Sequence, residues 1–98
     1  FAFMTGTTRS SADLDIRRRK ALFRSWHRGM REVDLILGSF ADGEIARLSD
    51  EDLAVYEALM AEPDGDILKW VTGEAKVPER HDTPVFAKIL SYRGMPHS

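Results

Sequence analysis

The chain has 98 residues, 43% of them hydrophobic and 31% charged, with a formal net charge of −2. That composition describes one small globular domain of about 13 Å radius of gyration, with room for a single modest core but not for a deep, multiply supported substrate cavity, and it excludes disorder throughout. Cysteine is absent, which removes disulfide scaffolds, cysteine-based zinc sites, iron–sulfur clusters and thiol catalysis together.

Residues 1–12 read as a flexible N-terminal segment, small and polar from Met4 to Ala12, with Met4 as the natural start. There is no signal-peptide apolar region. Asp13 and Asp15 follow so soon that a mitochondrial transit peptide fits poorly. The longest uncharged apolar stretch, Leu35 to Ala41, contains Gly38 and Ser39 and is far short of the roughly 18 residues that span a bilayer. The expectation is a cytoplasmic protein without membrane insertion.

The body of the chain, 13–94, predicts an all-α bundle of about five short helices, with 95–98 as a tail. Asp13 to His27 is rich in helix formers. Leu22 and Trp26, then Met30, Val33, Leu37 and Phe40, form an apolar stripe at steps of three and four. Arg17, Lys20, Arg24, Arg28 and Arg31 form a cationic stripe at the same period. A mid-helix glycine costs about 1 kcal/mol relative to alanine, so Gly29 separates a first helix (13–28) from a second (30–42). Ser49 predicts the cap of a third helix reaching Ala61, with Asp50, Glu51 and Asp52 at the positive end of its dipole and Leu48 and Leu53 in staple positions. Leu53, Tyr56, Leu59 and Met60 are its buried stripe.

Pro63 to Asp66 is turn chemistry. Ile67, Leu68, Trp70 and Val71 predict a short fourth helix stopped by Gly73, and Lys76 to Asp82 reads as a linker. Thr83 followed by Pro84 starts a last helix, with Val85, Phe86, Ile89 and Leu90 on its apolar face and Gly94 and Pro96 ending it. No segment alternates long enough to predict a strand.

Charge is distributed unevenly. Residues 1–31 carry eight basic side chains against two acids, a net +6; residues 32–79 carry three against thirteen, a net −10; residues 80–98 carry three against one, a net +2. Such asymmetry suits a charged partner. The run Arg17–Lys20 admits a nucleic-acid reading, but the net acidity and the scarcity of interleaved aromatics argue against it. Charges that solvate one helix face and pair with acids elsewhere in the fold explain the run equally well.

Catalytic and metal chemistry find no support. His27, His81 and His97 lie far apart with no metal-ligand spacing, and His81 and His97 read as exposed linker and tail residues. No glycine-rich phosphate loop and no nucleophile-elbow serine is present. No catalytic carboxylate pair stands out, and Trp70 and Tyr56 read as core.

The informative segment is Arg28-Gly29-Met30-Arg31-Glu32. Glycine lets another backbone approach closely, and arginine offers a planar fork of donors. On a continuous helix Arg28 and Glu32 could pair, for tenths of a kcal/mol. Within RRRKALFRSWHRGMREVDLILGSF, and with the later LSDEDLAVYEALMAEPDGDILKWVTGEAKVPE, this segment resembles the succinate dehydrogenase flavinylation assembly factors, whose signature is Arg-Gly-x-x-Glu. The resemblance covers roughly 14–93.

That resemblance implies a five-helix bundle that is not an enzyme. It implies binding to the flavoprotein subunit of succinate dehydrogenase, with that of fumarate reductase as a further partner, and promotion of covalent FAD attachment there. It carries partner binding onto Arg28, Gly29 and Glu32, with Met30 and Arg31 between them. FAD is then carried by the partner, no cofactor or metal is held stably by this chain, and the chain is a monomer that binds no nucleic acid. The alternatives are a small basic-helix nucleic-acid binder and a regulatory, antitoxin-like bundle that acts by homodimerisation.

Overall fold

The computed structural model describes residues 13–92. The readings of residues 1–12, of Gly94, Pro96 and His97, and of the tail fall outside the described residues. Five helices follow one another: α1 (Ile16–Ser25), α2 (Arg31–Glu44), α3 (Asp50–Met60), α4 (Asp64–Thr72) and α5 (Pro84–Leu90), with a 3-10 turn at Glu79–His81 before α5. The described residues contain no strand, so the all-α expectation holds.

Local chemistry sets most boundaries. The Ser49 hydroxyl accepts from the Asp52 N–H at 3.0 Å and the Thr83 hydroxyl from the Phe86 N–H at 3.2 Å, as the capping pattern requires. Asp15 caps α1 in the same way, accepting from the Arg18 N–H at 2.8 Å. Gly73 closes α4 with φ +83°, the left-handed conformation that glycine adopts without penalty.

Several boundaries differ from expectation. The first helix runs over 16–25 rather than 13–28, because Asp15 starts it late and the chain leaves helical geometry after Ser25. The Arg28 N–H donates to Asp34 Oδ1 at 2.7 Å, so it is lost to the helical ladder. The second helix continues to Glu44. The acidic turn after Pro63 is itself the first turn of α4: Pro63 holds the extended entry, and Asp64 and Asp66 sit at the positive end of the dipole. The linker contains the 3-10 turn, and α5 already stops at Leu90.

α2 is the central element, packing against α1, α4 and α5, while α3 packs against α1 and α5. Its Val33, Leu37, Phe40 and Ala41 are completely buried, a stripe at steps of four, three and one. Leu22, Trp26, Leu53, Tyr56, Leu59, Met60, Val71, Val85, Phe86 and Ile89 join them in one core, as the apolar stripes foretold. Burial of each aliphatic side chain is worth about 1.5–3 kcal/mol.

Two details fix how α1 meets this core. Gly38 lies under the Trp26 indole, where a Cβ would come within 2.4 Å of ring atoms. Gly38 thereby gives the Trp26 ring its close approach to α2 within the bundle. The indole N–H donates to Asp42 Oδ1 at 3.2 Å. Deeper in, the buried Ser25 hydroxyl is bonded to the Ala21 carbonyl and to the Tyr56 hydroxyl. Burial pushes the Tyr56 phenol far above its ordinary pKa, so it stays a neutral donor to the Leu37 carbonyl.

Candidate functional site

The signature residues occupy the connection Trp26–Met30 and the first turn of α2. Arg28 is the anchor. Its Nε donates to Asp64 Oδ1 at 2.7 Å, Nη1 to the Met60 carbonyl at 2.5 Å and Nη2 to the Glu62 carbonyl at 2.9 Å. The side chain is only 11% exposed and that of Asp64 16%. One guanidinium therefore satisfies carbonyls at the end of α3 and a carboxylate at the start of α4, where a helix C-terminus favours a cation and an N-terminus an anion. The i to i+4 pair with Glu32 does not form. The helix is broken between the two residues, and Arg28 pairs with Asp64 instead.

Gly29 is exposed and has φ +107°. A Cβ built there would lie 3.8 Å from Asp64 Oδ2, an ordinary contact. Space does not demand glycine at this position; the left-handed backbone does. Met30 is half-buried against the core and stands as the N-cap of α2 without a capping side chain. Arg31 and Glu32 follow on the exposed first turn, with Glu32 favoured by the helix dipole. Gly29, Arg31 and Glu32 are thus presented outward, whereas Arg28 is turned into the fold and holds the connection in shape.

Sequence reasoning missed Asp34 and Asp64, which fix the two ends of Arg28. Asp64 lies 36 residues away, and nothing local marks it as a partner. Asp34 is six residues on, outside any helical repeat. His81, expected as an exposed linker residue, is buried, 5% exposed. Its Nε2 meets Glu62 Oε2 at 2.6 Å, and its ring lies 5.5 Å from the Trp70 ring. The 3-10 turn swings it inward. Hydrogen bonding by His81, followed by Arg80, holds the Glu62 carboxyl below the usual carboxylate range. Glu62 thereby links the segment that Arg28 caps to the turn before α5.

The cations of α1 divide by their contacts. Arg17 binds Glu57 through Nη2 at 2.6 Å, which lowers the Glu57 pKa. Arg18 donates to Asp15 Oδ2 and to the carbonyls of Ile45 and Leu48, closing the end of α2. With Arg28 turned into the fold and the helix broken before Arg31, the five arginines and lysines of the expected stripe do not share one outer face. The outer side of α1 instead presents Ile16, Arg19, Lys20, Phe23 and Arg24 around a shallow, open cleft. One side of a single helix does not enclose an isoalloxazine ring or a pyrophosphate, so these residues do not fit as a holder of FAD. Among the described residues no group of three or more His, Asp or Glu is placed to hold a metal, and no helix is long and apolar enough to cross a membrane.

Comparison with known proteins places this architecture. Residues 19–93 match the family model described as flavinator of succinate dehydrogenase. The chain is 42% identical over 78 residues to succinate dehydrogenase assembly factor 2, mitochondrial, of Dictyostelium discoideum, covering 80% of this chain and 55% of that protein. It is 31% identical over 78 residues to FAD assembly factor SdhE of Acetobacter pasteurianus, covering 80% of this chain and 72% of that protein. A Debaryomyces hansenii protein, also called succinate dehydrogenase assembly factor 2, mitochondrial, is 35% identical over 82 residues, or 84% of this chain and 58% of the relative. The chain spans little more than half the length of these mitochondrial relatives. The match takes in four of the helices whole, most of α1 and the complete Arg28–Glu32 connection, and on that extent the chain belongs to the succinate dehydrogenase flavinator family.

Proposed function

We propose that this protein binds the flavoprotein subunit of succinate dehydrogenase and promotes covalent attachment of FAD to it. Family membership supports the reading. The observation that carries it is the outward presentation of Gly29, Arg31 and Glu32 on a connection braced by Arg28. Polar groups on a rigid bend give a partner a defined register at low ordering cost. Met30 anchors the bend from below, and Arg28 contributes by positioning the others.

The helper role needs no chemistry from this chain. Attachment requires the partner to hold flavin and histidine in near-attack geometry. A bundle that binds that conformation of the partner more tightly than its open form raises the reactive population. FAD stays with the partner throughout, and the chain acts as a monomer in the cytoplasm. The flavoprotein of fumarate reductase, closely related in chemistry, is the second client. The nucleic-acid reading finds no support in the family, and the surface pairing of Arg17 with Glu57 together with the inward turn of Arg18 and Arg28 removes much of its basis.

The test is to mix the apo-flavoprotein subunit with FAD, with and without this protein, and to read covalent flavin by in-gel fluorescence. Stimulation by the wild type and its loss in Glu32→Lys, with an unchanged circular dichroism spectrum, is the expected result. Equal flavin incorporation with and without the protein overturns the proposal. Cell fractionation checks the compartment, and the mass in solution by light scattering checks the monomer state.

A further inference from the structure

α1 carries two stripes, not one. The first, Leu14, Ala21, Leu22 and Ser25, is buried in the bundle. The second, Ile16, Arg19, Lys20, Phe23, Arg24 and His27, follows the spacing i, i+3, i+4, i+7, i+8 and i+11 on the outside. Ile16 is 64% exposed and Phe23 62%. They are the large hydrophobic side chains that the described surface leaves out of the core, and both lie on this one face. His27 stacks on Phe23 with ring centroids 3.9 Å apart and continues the face to the Arg28–Glu32 connection. Arg17 and Arg18 are spent on Glu57 and Asp15, but Arg19, Lys20 and Arg24 make no ion pair among the described residues.

We propose that this outer face of α1 is a second docking surface, and that its occupant is an apolar groove bordered by carboxylates on the flavoprotein subunit. The inference rests on the function proposed above and extends it to a contact outside the signature. Two apolar anchors seven residues apart, about 10 Å along the helix, are the spacing by which a helix seats in a groove. Three unpaired cations between and beside them call for acids on the rim of that groove, which would also steer the encounter. A long polyanion fits less well. Duplex DNA presents a charge every 1.7 Å or so; it would overrun three cations and meet the acidic remainder of the chain, and Ile16 and Phe23 would gain nothing from phosphates.

The experiment is titration calorimetry of the full chain against the purified flavoprotein subunit at low and moderate salt. It uses wild type, Phe23→Ser, the triple variant Arg19→Glu/Lys20→Glu/Arg24→Glu, and Glu32→Lys. The substituted α1 residues are exposed, so circular dichroism and the thermal midpoint stay close to wild type. The expected result is binding weakened at least about tenfold in Phe23→Ser and in the triple variant, with the salt dependence of the wild type flattened or reversed in the triple variant. Wild-type affinity in both α1 variants, with loss only in Glu32→Lys, overturns the second surface and leaves the proposed function standing. Absence of wild-type binding removes the proposed function and this inference together. Self-association that Phe23→Ser abolishes, or retention on duplex DNA or anionic vesicles that the triple variant abolishes while subunit binding is unchanged, gives the face to another occupant and also overturns the proposal.

Discussion

Arg28 and Asp64 meet at 2.7 Å across 36 residues of sequence, and their contact fastens the α1–α2 connection to the junction of α3 and α4. Both side chains are largely removed from water, and the remaining donors of Arg28 are taken up by the Met60 and Glu62 carbonyls. The desolvation cost of the pair is therefore offset by a full set of hydrogen bonds. The exposed signature residues are held in place by a contact that is itself hidden.

Removing Arg28 leaves a carboxylate and two carbonyls without their donor. Arg28→Ala is expected to cost about 2–4 kcal/mol, read as a lower urea midpoint with little change in slope. Arg28→Lys recovers only part of this, because an ammonium does not reproduce the planar fork. A double-mutant cycle with Asp64→Ala that shows no coupling would refute the bracing role.

Gly29 is required by its backbone. Gly29→Ala is expected to destabilise by about 1–2 kcal/mol, Gly29→Asn by less and Gly29→Val by more, since tolerance of the left-handed region follows that order. Denaturant titration of the three variants checks the ranking. Equal stability of Gly29→Val and wild type would mean that this φ is not obligatory.

Gly38 is required by space. Gly38→Val forces the Trp26 indole off α2, with an expected loss of about 1–3 kcal/mol from overpacking. Tryptophan fluorescence shifts to the red as the indole becomes wetter. An unchanged emission maximum together with unchanged stability would show that the bundle relaxes freely at this contact.

Acid sensitivity follows from Glu62 and Glu57. Their carboxyls titrate lower in the folded chain than in the unfolded one, through His81 and Arg80 in the first case and Arg17 in the second. The stabilisation is complete above the unfolded value, about pH 4.3 for glutamate, and is lost as pH falls through the lower folded values. Unfolding free energy should decline below about pH 5, and Glu62→Gln, less stable at neutral pH, should show a shallower decline. Parallel pH–stability curves for the two proteins would exclude Glu62 as a contributor.

Much of the bundle was legible in advance because its causes are local. Ser49 and Thr83 cap helices through bonds to residues three positions on, and Gly73 ends α4 by its own φ. The core stripes around Leu37 and Tyr56 needed only the helical period. Errors clustered where a distant group intervened. Asp34 takes the Arg28 N–H out of a helix that propensity alone would continue. The 3-10 turn buries a histidine that composition leaves in a linker.

The signature itself shows the division. Residue types and spacing sufficed to single out Arg28–Glu32 and to suggest the family. Which of the five faces outward, and which holds the others, depended on the α3–α4 junction arriving beside the α1–α2 connection. Helix caps and apolar periods act within about a turn of the chain, so the amino-acid order specifies them directly. An ion pair such as Arg28–Asp64 exists only once packing has brought two remote helix ends together and excluded water between them, and that is a property of the assembled bundle.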